Sequence, residues 1–278
     1  MQENITFEIP IIDFGLLKTR DEATKSNFLK AITEVGFFFL KNHDVPKELT
    51  DRLELVSRNS YKTTFEERMK LKDFRGKMEV SGSIFHEKPF QNSPDDESIK
   101  LDEKEIDSTF FDYLTKISNI GVFLLKFCEE VFDLPNGRLL GNFEPKKAII
   151  DAVMLEENPT EEFEFECHRD NRLMTILKQD RTGGVEIKYK DNWYPVLEDP
   201  KKEFLGVNIG NIMNNLSDGK AKAVYHRVRS IQNQTRFMWP VFLTPNFRPR
   251  KTAVKFLRFT HRGWYDFDTV DDETDFLL

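Results

Sequence analysis

The sequence predicts a mainly β fold with flanking helices, in which a helical N-terminal part precedes a β-sandwich or β-barrel. In residues 1–146, apolar side chains recur mostly at helical spacing, whereas residues 147–278 contain many short apolar segments separated by turn-forming residues. Short strands with regularly spaced turns are typical of sandwiches and barrels. The length of 278 residues suits one large domain, and no internal repeat is present. We therefore expect a single domain over residues 1–278.

Strand and helix signals alternate at the start of the N-terminal part. Residues Ile9–Phe14 predict a strand, the aromatic segment Gly36–Leu40 predicts a buried strand, and Asn42–Asp44 predicts a turn. Pro46 favours the start of a helix, because its missing N–H costs nothing in the first turn. Spacings of three and four residues predict the buried faces of two helices. Their apolar residues are Phe28, Ile32 and Val35 before Gly36, and Leu49, Leu53 and Val56 after Pro46.

Residues 73–104 lose this periodicity and gain Gly, Ser, Pro, Asn and Asp. Asn92–Asp96 is a strong turn cluster within this segment. A loop of this length in a compact domain is typically a lid or a disordered segment. We predict a lid loop over residues 73–104 in which Phe85 contacts the substrate. A surface loop anchored by a few aromatic residues is the competing interpretation.

A long amphipathic helix is predicted next. Its apolar residues follow one another at alternating steps of four and three, which places them on one face over about six turns. The segment Leu134–Gly137 ends it. We expect this face to lie along the β core, because the chain has only one such run. The residues of the face are Phe110, Leu114, Ile117, Gly121, Leu124, Cys128 and Val131.

The C-terminal half, residues 147–278, supplies the strands of the predicted sandwich or barrel. Turn signals such as Thr182–Gly184 and Ser217–Gly219 separate short apolar segments. These segments lie around Ile149–Leu155, Leu173–Leu177, Val185–Lys188, Trp193–Val196, Phe204–Ile209, Val224–Val228 and Arg236–Leu243.

The pattern His168-Arg169-Asp170, followed by His226, predicts a metal site in this half. Residues i and i+2 of a strand point to the same side, so His168 and Asp170 can bind one ion while Arg169 points away. Two imidazoles and one carboxylate on one face of an ion are the ligands of non-haem Fe(II) oxygenases. The pattern alone also arises by coincidence, and Zn²⁺ accepts the same ligand types. The surrounding sequence is therefore needed to distinguish an Fe(II) site from a Zn²⁺ site or a coincidence.

That surrounding sequence resembles the isopenicillin N synthase-like branch of the Fe(II)/2-oxoglutarate-dependent oxygenases over most of the chain. The resemblance implies a double-stranded β-helix, or jelly-roll, with Fe(II) held by His168, Asp170 and His226. It also implies 2-oxoglutarate and O₂ as cosubstrates. The similar segments are Ile9–Asp13, Gly36–His43, Met174–Asp180, Gly183–Val185, Trp193–Val196, Val207–Gly210 and Val224–Val228.

The resemblance also implies that Arg236, ten residues after His226, binds the distal carboxylate of 2-oxoglutarate. Two features of the family are missing. Met238 stands where the family has a serine, and the Asn-Tyr-Tyr motif ahead of the first metal ligand is absent. Three alternatives follow: 2-oxoglutarate binding with other supporting residues, a 2-oxoglutarate-independent oxidase or cyclase, or a non-catalytic iron- or ligand-binding protein.

Glu166 is a candidate substrate residue. Regular alternation back from His168 predicts that Glu164 and Glu166 face the metal side and that Cys167 packs in the core. A buried carboxylate needs a partner, so Glu166 is predicted to bind a cationic substrate group such as an amine. The alternative is a solvated acidic stretch.

The combined prediction is an enzyme that oxidises a C–H bond of a small molecule by hydroxylation, desaturation or cyclisation. The net charge of −7 is spread along the chain without a basic stripe, which disfavours nucleic-acid binding. No apolar run reaches the roughly 18 residues of a membrane span, and no signal peptide is evident. The two cysteines, Cys128 and Cys167, fit a reducing compartment, so we expect a cytoplasmic location. No protein partner is indicated.

Overall fold

The computed structural model describes residues 7–62, 83–86, 103–143, 149–155, 162–197, 203–234, 236–245, 255–260 and 263–268. Their strands, in chain order, are β1 (Ile11–Asp13), β2 (Phe37–Lys41), β3 (Ser83–His86), β4 (Ile149–Leu155), β5 (Phe163–His168), β6 (Met174–Gln179), β7 (Val185–Tyr189), β8 (Asn192–Pro195), β9 (Leu205–Ile209), β10 (His226–Arg229), β11 (Arg236–Leu243), β12 (Lys255–Thr260) and β13 (Gly263–Asp268). The α-helices are α1 (Phe14–Lys18), α2 (Glu22–Lys30), α3 (Lys47–Lys62), α4 (Glu103–Phe132) and α5 (Asn211–Leu216).

Two sheets form the β core. The larger sheet has the strand order β1-β2-β9-β6-β11-β4-β3, and the smaller sheet has the order β5-β10-β7-β8. Pairing is antiparallel except at the edges, where β1 is parallel to β2 and β3 is parallel to β4. Strands β12 and β13 form a separate antiparallel hairpin. This arrangement confirms the predicted jelly-roll core with flanking helices.

Local sequence features set the ends of the first helices. The carboxylates of Asp13 and Asp21 accept hydrogen bonds from the backbone N–H of Leu16 and Thr24, which caps α1 and α2. A π-helical turn, Ala31–Val35, continues α2 and ends at Gly36. Gly36 has a φ of 81°, and a Cβ there would collide with the carbonyl of Lys222. A glycine is therefore required where this helix meets the β core.

The hydrophobic residues form two layers. One layer joins the helices to the outer face of the larger sheet, and the other fills the space between the sheets. The predicted face of α4 lies in the first layer, where a Cβ on Gly121 would meet the side chain of Leu243 in β11. The expectation that this helix lies along the β core is confirmed. None of the helices in the described part of the chain is both long and apolar enough to cross a membrane.

The predicted loop over residues 73–104 is not uniformly irregular. Its described parts are β3, which adds a strand to the edge of the larger sheet, and the first residues of α4. The expectation of a continuous loop was therefore wrong at these places. A strand of four residues carries too little periodicity to be separated from a loop by pattern alone. The remainder of the segment lies outside the described residues.

Candidate metal centre

A cavity of about 110 Å³ lies between the two sheets. Its wall is predominantly apolar, and its polar members are two histidines, one aspartate, one threonine and one asparagine. Strands of both sheets contribute to it. The lining residues are Phe37, Phe165, His168, Asp170, Thr175, Leu177, Val185, Asn208, His226, Val228, Met238, Pro240 and Phe242.

Strand β5 brings His168 to this cavity through an irregular stretch of backbone. Two steps along β10, from His226 to Val228, correspond to three steps along β5, from His168 to Phe165. The extra residue is a β-bulge, which re-aims the side chains around it. As a result, Phe165 and His168 both line the cavity although they are three residues apart.

The bulge overturns two expectations. Glu166 is exposed and does not line the cavity, and Cys167 is exposed instead of packed in the core. Both expectations assumed unbroken alternation between Phe163 and His168, which the bulge interrupts. The remaining contribution of Glu166 to the site is its backbone carbonyl, described below.

Three side chains converge at the cavity. One potential ligand atom each from His168, Asp170 and His226 lies within 4.8 Å of the other two. Asp170 Oδ1 is 3.6 Å from Nε2 of His168 and 3.6 Å from Nε2 of His226. Two ring nitrogens and one carboxylate oxygen at these separations fit the donor set of a single Fe(II) ion. The structure therefore brings together the three residues that the sequence pattern singled out.

Backbone carbonyls orient both imidazoles. His168 Nδ1 lies 2.7 Å from the carbonyl oxygen of Glu166, and His226 Nδ1 lies 3.4 Å from that of Val224. With the proton on Nδ1, each Nε2 keeps its lone pair for a metal. Burial lowers the pKa of His226, although the charge of Asp170 opposes this. The imidazole of His226 is accordingly held in its neutral, metal-binding form.

The two oxygens of Asp170 have different surroundings. Oδ1 faces the histidines, whereas Oδ2 accepts hydrogen bonds from Thr175 Oγ1 and, at 2.9 Å, from Asn208 Nδ2. Burial alone would raise the pKa of the Asp170 carboxyl. The two histidines and the two hydrogen bonds outweigh burial and lower that pKa. Asp170 is therefore a carboxylate at neutral pH.

The backbone of Asp170 is anchored as well. Its carbonyl accepts a hydrogen bond of 2.8 Å from Asn211 N, at the start of α5. A Cβ on the neighbouring Gly210 would collide with the carbonyl of Arg172. Glycine at position 210 therefore lets the junction of β9 and α5 approach the segment that follows His168.

Arg236 lies further along the same face of β11 as three residues of the cavity wall. Alternation in this strand places Arg236 on the side of Met238, Pro240 and Phe242, which line the cavity. Its side chain is buried, with an exposure of 3%. The Nη1 group donates to the carbonyl of Gly183, whereas Nη2 is buried without a hydrogen-bond partner in the described part of the chain.

Among the described residues, no direct salt bridge neutralises the charge of Arg236. Asp180 is the nearby anion, but its oxygens accept from the backbone of Phe237 and Thr182 and from Arg58 Nη2. Burial lowers the pKa of Arg236 to about 10, and the charge of Asp180 opposes this. A buried guanidinium with an unused donor fits a ligand that carries a carboxylate, as 2-oxoglutarate does.

The backbone of the loop between β6 and β7 forms a seat for this guanidinium. Gly184 has a φ of 98°, and a Cβ there would overlap Arg236 Nη1. Met238 lines the cavity next to Arg236, so the sequence-based expectation that both residues share one side is met. Methionine at this position offers no hydroxyl group to assist the arginine.

Two further residues lie elsewhere. His43, a histidine of the similar segment Gly36–His43, is buried and interacts with the carbonyl of Glu203 and the backbone N–H of Val45, away from the three converging side chains. Phe85 belongs to β3, but its side chain lies outside the described residues. Sequence reasoning missed Thr175 and Asn208. Thr175 stands between apolar residues of β6, and Asn208 is the one polar residue of β9, which was the available signal for a role in the site.

The fold and the converging side chains define a class. A double-stranded β-helix with two histidines and one aspartate between its sheets is the architecture of a non-haem iron oxygenase. Residues 143–245 match the sequence model of the 2OG-Fe(II) oxygenase superfamily, and residues 9–109 match that of the non-haem dioxygenase in morphine synthesis N-terminal region. Together the two matches cover most of the chain.

The chain belongs to the 2OG-Fe(II) oxygenase superfamily, and the resemblance to its isopenicillin N synthase-like branch is confirmed. It is a dioxygenase of the class that uses iron(II), 2-oxoglutarate and O₂.

Individual relatives are distant. A probable iron/ascorbate oxidoreductase of Dictyostelium discoideum is 23% identical, over 91% of this chain and 86% of the relative. Gibberellin 2-beta-dioxygenase 7 of Arabidopsis thaliana is 25% identical, over 92% and 82%. Among solved structures, the 2-oxoglutarate complex of the dioxygenase for auxin oxidation 1 from Arabidopsis thaliana aligns with a TM-score of 0.65 at 17% identity, over 86% of this chain and 93% of that chain. This last likeness shows that the fold is shared.

Proposed function

We propose that this protein oxidises a C–H bond of a small molecule, with hydroxylation as the default outcome, and that His168, Asp170 and His226 bind the iron. Arg236 binds the distal carboxylate of 2-oxoglutarate. When bound, the iron would activate O₂, which is the oxidant, and the protein supplies position and exclusion of water. The reaction consumes O₂ and 2-oxoglutarate and gives succinate, CO₂ and the oxidised substrate.

One observation carries the assignment of the cosubstrate site. Nη2 of buried Arg236 has no hydrogen-bond partner among the described residues, and Arg236 lies on the same face of β11 as the cavity wall that leads to Asp170. A dicarboxylate can span such a site, with one end at the metal and the other at the guanidinium. A fork of N–H donors pairs well with a carboxylate, especially in a dry environment.

The residues between these ends have a separate role. Phe165, Leu177, Val185 and Val228 present apolar groups to the cavity. An apolar wall removes water from the metal face and strengthens the interactions of the few charged groups inside. It also supports a substrate whose reacting part is apolar. The gibberellin dioxygenase among the relatives acts, by its name, on a small molecule, which supports the same class of substrate here.

The location and extent of the enzyme belong to the same proposal. Cys128 and Cys167 are both unpaired, which supports a reducing compartment such as the cytoplasm. We treat residues 1–278 as one domain, because strands from residues 11 to 243 join the same larger sheet.

The test is an anaerobic titration of the Fe(II)-loaded protein with 2-oxoglutarate. A visible metal-to-ligand charge-transfer band is expected, together with succinate release once O₂ is admitted. Iron binding without a band, and O₂ consumption that does not require 2-oxoglutarate, would instead support a 2-oxoglutarate-independent oxidase. Met238 in place of a hydroxyl residue is the observation that favours this second candidate. Failure to bind iron would overturn both.

A further inference from the structure

We propose that Thr175 and Asn208 are positioning residues that hold Asp170 in a one-oxygen mode of metal binding and thereby keep the opposite face of the iron free. This inference rests on the proposed function, because it assumes that Asp170 binds the iron. It concerns residues to which the sequence pattern assigned no role.

The first support is the geometry around Asp170 Oδ2. This oxygen accepts hydrogen bonds from Thr175 Oγ1 and Asn208 Nδ2. A carboxylate oxygen that accepts two such bonds has both of its in-plane lone pairs engaged. Only Oδ1 remains for a metal, and it is the atom that lies 3.6 Å from Nε2 of each histidine.

The second support is how the two donors are placed. Thr175 in β6 and Asn208 in β9 are directly paired across the larger sheet. Both line the cavity, and both are buried, with exposures of 3% and 5%. Cross-strand partners on one face of a sheet are held at a fixed separation by the backbone ladder. The two donors therefore form a rigid clamp that sets the rotation of the carboxylate.

The chemical consequence concerns the number of positions left on the metal. If Asp170 turned so that both oxygens contacted the ion, it would occupy a position that a chelating 2-oxo acid or O₂ requires. The clamp resists this rotation, because turning would leave a buried hydroxyl and a buried amide without an acceptor. Thr175 and Asn208 thus act on the cosubstrate through Asp170, without contacting it.

The experiment compares Thr175→Val, which keeps the shape and removes the hydroxyl, with Thr175→Ser, which keeps the hydroxyl. Asn208→Ala removes the second donor from a different strand, so the test survives if one variant fails to fold. Thr50→Val is the matched control, because Thr50 is a buried threonine of α3 outside the cavity lining. Co(II) is the probe for metal binding, and its visible absorption reports coordination geometry.

Thr175→Val and Asn208→Ala are expected to weaken Co(II) binding by about 10-fold or more and to change the visible spectrum, as for other residues that orient metal ligands. Thr175→Ser is expected to restore wild-type affinity and spectrum. In the Fe(II) form, the charge-transfer band with 2-oxoglutarate is expected to fall more steeply than metal occupancy.

Two outcomes would overturn the proposal. If Thr175→Val and Asn208→Ala matched Thr50→Val in both affinity and spectrum, the clamp would have no role while the metal site itself stood. If the wild-type protein bound neither Co(II) nor Fe(II), the proposed function would fall together with the clamp. The two failures are therefore distinguishable.

Discussion

The proposed binding site has two ends, one at the three converging side chains and one at Arg236, which differ in how many contacts hold their charged groups. At the metal end, Asp170 is fixed by Thr175 and Asn208 through its carboxylate and by Asn211 through its backbone. At the carboxylate end, formed by Arg236, Gly183, Gly184 and Met238, the guanidinium has one hydrogen bond among the described residues, to the Gly183 carbonyl. Several contacts share the restraint of Asp170, so the loss of one is expected to weaken metal binding only in part. Among the described residues, the second end depends on the single side chain of Arg236.

The largest expected effect is the loss of a metal ligand. His226→Ala removes a donor that no neighbour can replace, because the described cavity wall has no spare imidazole or carboxylate. We expect Co(II) affinity to fall by more than about 100-fold, beyond the cost of losing an orienting partner. Isothermal titration measures this. His43→Gln is the control, and an equal loss in both variants would contradict the assignment.

The second-largest expected effect is the loss of Arg236, the single anchor at the carboxylate end. Arg236→Ala is expected to weaken 2-oxoglutarate binding by about 100-fold, since truncating one partner of a buried charge pair costs roughly 2–5 kcal/mol. The 2-oxoglutarate affinity of Arg236→Lys is expected to lie between those of the wild type and Arg236→Ala. Lysine keeps the positive charge but lacks the paired N–H donors of the guanidinium. Fe(II) affinity should not change. A titration of the charge-transfer band tests this, and an unchanged midpoint would remove Arg236 from the site.

The seat of this arginine can be disturbed without touching the arginine itself. Gly184→Ala places a methyl group where Arg236 Nη1 lies, so we expect 2-oxoglutarate binding to weaken by about 10-fold. The backbone at Gly184 is also left-handed, which costs about 1–3 kcal/mol of stability for alanine. Gly137→Ala is the matched control, because Gly137 has a φ of 84° and open space around it. Equal binding in both variants would show that the seat is unimportant.

A smaller effect, in the opposite direction, is expected from restoring a hydroxyl. Met238→Ser should tighten 2-oxoglutarate binding by about fivefold, the value of a net hydrogen bond of about 1 kcal/mol. Met238→Leu controls for the change of shape. No difference between serine and leucine at this position would indicate that the carboxylate lies elsewhere, as a 2-oxoglutarate-independent oxidase would require.

The smallest expected effect is the pH dependence of the charged groups at the two ends. Burial lowers the pKa of His226 below its ordinary value of 6.5, so more than half of the His226 imidazoles stay neutral as the pH falls from about 8 to 6.5. Protonation of His226 should therefore lower Co(II) affinity by less than about twofold in this range and by more at lower pH. The pKa of Arg236, about 10, keeps the carboxylate end charged throughout. An NMR titration of the His226 ring in the metal-free protein tests this, and a midpoint above pH 6.5 would contradict the neutral form of His226.

Sequence reasoning succeeded for the three converging residues and within β11. His168, Asp170 and His226 converge as predicted, although β5 ends at His168 and Asp170 lies beyond it. Arg236 and Met238 share a face because the pairing of β11 with β4 has no register shift between them. The expected segments at Ile149–Leu155 and Arg236–Leu243 coincide with β4 and β11.

Sequence reasoning failed where the pairing between two strands changes the local geometry. The bulge that exposes Glu166 arises from the register between β5 and β10, which no local pattern in β5 encodes. The clamp on Asp170 likewise depends on the lateral pairing of Thr175 with Asn208, 33 residues further along the chain. Contacts between strands that are distant in sequence produce no periodic pattern of apolar residues, so one sequence alone does not reveal them.

The bulge in β5 also bears on insertions and deletions. β5 has two residues between Phe165 and His168, whereas β10 has one residue between His226 and Val228, so one residue of this stretch is extra to the pairing. Removing Cys167 would leave Phe165 two places from His168, which is the separation that ordinary alternation needs to keep both on one side. The loss of one residue between Phe165 and His168 would therefore leave both side chains on the cavity side, although it would alter the hydrogen bond between Glu166 and His168.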